Sequence, residues 1–63
     1  MQLKIVFFDD SWIDVYADCE ESFIMNLQQH WQNNDYMEVE NDVGTHYINS
    51  KFVKTVFMHG EGT

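Results

Sequence analysis

Ten carboxylates fall between Ile5 and Ser50 with no Lys or Arg among them: Asp9, Asp10, Asp14, Asp18, Glu20, Glu21, Asp35, Glu38, Glu40 and Asp42. Three chemistries could use such a set, namely acid–base catalysis, cation binding and recognition of a basic partner. Catalysis needs more than carboxylates, because the reacting groups must meet in a pocket beside a nucleophile, an oxyanion site or a cofactor. The sequence has no glycine-rich phosphate loop, no Ser or Cys in a nucleophile motif and no dinucleotide fingerprint. It is therefore read as a binding protein and not an enzyme, with no catalytic residue and no cofactor assigned.

Metal binding fits the spacing no better. His30, His46, His59 and Cys19 are too scattered for the paired Cys and His ligands of a structural zinc site. Asp9, Asp10 and Asp14 lack the glycine and the distal Glu that close a calcium loop, so no metal site is expected. As the only cysteine, Cys19 cannot form an internal disulfide; pairing between two chains is open to it, but a single cysteine more often signals a reducing compartment or a small apolar filler.

Electrostatic recognition remains. Lys4, Lys51 and Lys54 are the only basic residues and the net charge is −8, a field that repels nucleic-acid phosphates and anionic membranes and attracts basic surfaces. Direct DNA or RNA binding and membrane binding are both disfavoured, and a protein partner with a basic surface is favoured. The plain reading is that surface carboxylates keep a small aromatic-rich protein soluble. In the sharper one, Asp9, Asp10, Asp14, Asp18, Glu20 and Glu21 form a patch at a hairpin tip and helix start, extended by Glu38, Glu40 and Asp42. Such a patch imitates a row of phosphates and occupies a basic groove on a nucleic-acid-processing protein, with Trp12 and Tyr16 as apolar anchors beside it.

The elements that must position these groups follow from periodicity. Residues 2–8 place Leu3, Ile5 and Phe7 at period two, and residues 12–17 place Ile13, Val15 and Ala17 on one face and Trp12, Asp14 and Tyr16 on the other. Asp9-Asp10-Ser11 between them is turn chemistry, so the two strands form a hairpin. Asp18 is expected to cap a helix that runs from Cys19 to about Asn33, with Glu21 completing a capping pair. Phe23, Ile24, Leu27 and Trp31 make its core stripe, and Asn33-Asn34-Asp35 stops it. His30 and His46 are expected to be exposed. Tyr36–Glu40, Thr45–Ile48 and Phe52–Met58 read as three further strands.

The expected class is α+β: a small antiparallel sheet of four or five strands, in chain order ββαβββ, with one helix packed on one face. At 63 residues the chain has room for a single domain with one thin core, and residues 59–63 are expected to form a loose tail. One helix cannot cover both faces of such a sheet, which leaves Val6, Phe8, Trp12, Tyr16 and members of the last strand for a partner, for a second copy in a homodimer, or for a curled sheet that partly closes on itself. No apolar run reaches the roughly 20 residues of a membrane span, and the N-terminus does not read as a secretion signal. The simplest expectation is a cytoplasmic protein. In size, acidity and strand-rich single-helix plan the sequence resembles, by type and not by any motif, the small inhibitors that bacteriophages make against host enzymes and defence systems. Uracil-DNA glycosylase inhibitors and anti-CRISPR proteins are among them. The resemblance implies an inhibitor and assigns no residue a role.

Overall fold

Apolar residues at alternate positions build the first ladder. In the computed structural model, which describes residues 1–58, β1 (Gln2–Phe7) pairs antiparallel with β2 (Trp12–Tyr16) on one side and with β5 (Val53–Met58) on the other. The β1–β2 turn closes through Asp9, whose carboxylate accepts from the backbone N–H of Ser11 at 2.9 Å and from its hydroxyl. Asp10 takes the left-handed conformation (φ 70), which Asp tolerates better than most residues because its short polar chain bonds locally. On the β5 side the register passes from Val6↔Thr55 to Phe7↔Val53, so Lys54 is the extra residue of a bulge.

The helix α1 (Glu20–Asn33) starts one residue later than the sequence suggests. Cys19, not Asp18, is the N-cap: its sulfur accepts from the Ser22 N–H at 3.4 Å, and the Ser22 hydroxyl bonds back to the Cys19 carbonyl at 3.3 Å. A side chain that answers the free amides of the first turn does the work of a cap whatever its type. Asn34 ends the helix in the left-handed conformation (φ 60, ψ 41), its N–H directed at the carbonyls of His30 and Trp31, as the Asn-rich stop predicts.

The remaining strands, β3 (Tyr36–Asn41) and β4 (Gly44–Asn49), pair only with each other, and a 3₁₀ turn (Ser50–Phe52) leads from β4 into β5. The α+β class and the ββαβββ order hold, with the five antiparallel strands divided between a three-stranded ladder, β2-β1-β5, and a two-stranded one. Phe23 of the helix packs with Leu3, Ile5 and Val15 of the first ladder and Met37, Val39 and Ile48 of the second, and together these form the buried core. The loose tail expected at 59–63 lies outside the described residues. No described helix is long and apolar enough to cross a membrane.

Asn41 is the joint between the two ladders. Its side-chain amide donates to the Asp14 carbonyl of β2 at 3.0 Å, and its oxygen accepts from the N–H groups of Val43 and Gly44 at 2.9 and 3.3 Å and pairs with His46 Nε2 at 3.0 Å. One side chain thus serves a β-turn, a half-buried histidine and a carbonyl of β2. Asn41→Ala should lower unfolding stability by about 2 kcal/mol, since it leaves several polar groups unanswered at once. An unchanged urea midpoint would show that water replaces these bonds without loss.

Three side chains depart from expectation. Trp31 is 55% exposed and is not a core residue. It sits near the end of the helix, where only the 3₁₀ turn and the start of β5 lie beneath it, too little to cover an indole. His30 and His46 are half-buried instead of exposed, and each is hydrogen-bonded, His30 to Asp35 and His46 to Asn41.

Candidate functional site

β2 and β3 run side by side without a shared ladder, and at the Tyr16 end of β2 a cleft of about 800 Å³ opens between them. Its floor is apolar because Met37 and Val39 point into the core, each under 5% exposed. Strand alternation then obliges Glu38 and Glu40 to point out. Their Cα atoms stand about 6.7 Å apart, two residues along one strand. Across the cleft, Tyr16 ends β2 and the chain turns through Asp18 and Cys19 into the helix. Asp42, in the β3–β4 turn, does not line the cleft but accepts a hydrogen bond from the hydroxyl of Tyr16, which does.

These contacts shape the acid–base properties of the rim. The bond to Asp42 raises the pKa of Tyr16 above that of an ordinary phenol, and the bond from Tyr47 to Glu38 (3.1 Å) does the same for Tyr47. Both phenols therefore stay neutral and hold their carboxylates in place. Cys19 moves the other way, because hydrogen bonds from the Ser22 hydroxyl and N–H favour its thiolate. At pH 8 Cys19 should be alkylated by iodoacetamide faster in the native chain than in Ser22→Ala. Equal rates would show that Ser22 has no hold on the sulfur.

The eleven residues singled out in the sequence do not form one patch. Asp18, Glu38, Glu40 and Tyr16 line the cleft, Asp42 is bonded to Tyr16, and Glu20 and Glu21 occupy the adjoining first turn of the helix. Asp9 and Asp10 lie in the turn beyond the far end of β2, whose five residues alone span roughly 13 Å. Asp14 and Trp12 face the outer side of the first ladder, where Lys4 stands directly opposite Asp14 and lies over the Trp12 ring at 4.2 Å.

The lysines reinforce this division. Lys54 pairs with Asp10 at 3.3 Å, Lys51 lies 5.6 Å from the centre of the Trp31 ring, and Lys4 is held at Trp12. None of the three lines the cleft. Two participants escaped sequence reasoning. Asn41 had a readable signal, since Asn opening a four-residue turn that ends in Gly favours a side-chain-closed turn, but its reach to β2 had none. Cys19 carried no signal as a cap. Among the described residues no three His, Cys, Asp or Glu side chains stand close enough to hold a metal ion together. No family model matches the chain, and neither a curated protein nor a solved structure matches it.

Proposed function

We propose that this chain works by binding a protein and not by catalysis, as a small acidic inhibitor or regulator, of the phage or mobile-element type, that occupies a basic nucleic-acid-binding groove of its target in the host cytoplasm. The observation behind this reading is that Asp18, Glu38 and Glu40 line one cleft that no lysine lines, with Asp42 bonded to Tyr16 on its wall. Carboxylates so placed cooperate in one field, and a cationic groove answers that field while excluding nucleic acid of the same sign. The test is competition. A partner captured at low salt should be released by short duplex DNA and by raising salt from 50 to 300 mM, as screening requires. A partner that stays bound through both treatments would defeat the mimicry.

A second reading draws on the outer face of the first ladder. Trp12, Tyr16 and Phe57 are each about half exposed there, and the free edge strand β5 carries no carboxylate. Such an edge can pair with a second copy to make a homodimeric interaction domain whose acids serve only solubility. Sedimentation at micromolar concentration separates the two: a stable dimer with no salt-sensitive partner favours this one, and a monomer that binds a basic protein favours the first.

A further inference from the structure

A second cleft, of about 540 Å³, opens at the other end of the second ladder, where the chain leaves β1 and enters the 3₁₀ turn. Its walls carry Phe8, Tyr36, Tyr47 and Phe52, each more than 60% exposed. Four large rings left open to water in a chain of this size are not a by-product of core packing, which takes only Phe23 among the aromatics below 9% exposure. Their backbones are held firmly. The Phe8 N–H donates to the Phe52 carbonyl at 3.0 Å, Asn49 caps the 3₁₀ turn through the Lys51 N–H at 3.0 Å, and Tyr47 is tied to Glu38. Alternation along β1 keeps Phe7 on the core side with Leu3 and Ile5 and turns Phe8 away from it.

Charge decides what such a cleft accepts. Asp9 lies on its wall, Glu38 stands behind Tyr47, and no lysine reaches it. A nucleotide would bring phosphate into this field, and a purely apolar segment would strip water from the Asp9 oxygen that Ser11 does not engage. A cation meets both demands. The chain already uses this chemistry within itself, with Lys4 over Trp12 and Lys51 over Trp31; Lys51 adjoins Phe52 in the chain, but its ammonium is turned to Trp31 and it does not line the cleft.

We infer that the Phe8/Tyr36/Tyr47/Phe52 cleft receives an arginine side chain of the basic partner, its guanidinium stacked on the rings and its N–H fork turned toward Asp9. Arginine fits better than lysine because its plane lies flat on an aromatic face and its fork matches a carboxylate. This rests on the reading of the partner as a basic protein and adds a residue-specific anchor to it.

The test titrates the full-length chain, followed by ¹H–¹⁵N NMR, with acetyl-Gly-Arg-Gly-Arg-Gly-amide and with its lysine counterpart of equal charge. The arginine peptide should move the amide signals of Phe8, Tyr36, Tyr47 and Phe52 and bind about threefold more tightly than the lysine peptide. Tyr36→Ala/Phe52→Ala should abolish that preference while circular dichroism stays native, whereas Asp18→Asn/Glu40→Gln should weaken both peptides alike. Equal binding of the two peptides, or a preference that survives the ring substitutions, overturns the arginine site and leaves the acidic-cleft reading standing. If neither peptide binds, both fall.

Discussion

Ile5→Ala should leave most of the chain unfolded at 25 °C. Ile5 lies on β1, the central strand of the first ladder, opposite Ile13 on β2 and Val56 on β5, and it is fully buried. Truncation of a buried Ile to Ala removes its transfer free energy and leaves a cavity, a loss of about 2–5 kcal/mol. A single core in a chain this short rarely supplies more than about 3–5 kcal/mol in total, so the two quantities are of equal size. Far-UV circular dichroism against urea checks this, with Met25→Ala as the control. Met25 is 68% exposed on the helix, and its truncation should shift stability by no more than about 0.5 kcal/mol. A cooperative Ile5→Ala transition at the wild-type midpoint would mean that the two ladders hold together without this contact.

The second large effect concerns binding. Asp18→Asn/Glu38→Gln/Glu40→Gln/Asp42→Asn halves the formal net charge from −8 to −4 while keeping acceptors for the Tyr47 and Tyr16 hydroxyls. Exposed charge pairs contribute about 0.2–1 kcal/mol each, so four of them acting on one basic groove should lower affinity by roughly ten- to a hundredfold at low salt. The dependence of affinity on salt should flatten in parallel. Asp9→Asn/Asp10→Asn, at the distant hairpin tip where Lys54 already meets Asp10, should have a smaller effect per charge removed. Fluorescence anisotropy of the labelled chain with its captured partner would measure both. Equal losses per charge from the two variants would mean that the partner senses only net charge, and the cleft would have no special part in recognition. The quadruple variant should fold at least as well as the parent, because it relieves repulsion among like charges.

The two neutralisation sites also show why the acids could not be sorted from sequence. Asp9, Asp10, Asp14 and Asp18 are near neighbours in the chain, and a hairpin followed by a helix suggests one patch. Strand geometry separates them instead. Alternation sends Asp14 to the face where Lys4 stands opposite, and the length of β2 carries Asp9 and Asp10 away from Asp18. Glu38, Glu40 and Asp42, some twenty residues further on, take their place beside Asp18 because β3 settles next to β2.

Local physics made much of this protein legible in its residue order. Period-two alternation named the first three strands, turn signals and an apolar run marked the last two, the 3.6-residue stripe of Phe23, Ile24 and Leu27 named the helix, and Asn34 marked its end because few other residues enter the left-handed region cheaply. The absence of basic residues from position 5 to position 50 set the sign of the surface before any fold was known, since charge is a property of composition. Tertiary structure alone decided which carboxylates meet, where the three lysines are held, that Trp31 stays exposed, and that Phe8, Tyr36, Tyr47 and Phe52 surround one cleft. Those outcomes depend on pairings between residues far apart in the chain, among them the reach of Asn41 to the Asp14 carbonyl of β2, which periodicity cannot reveal.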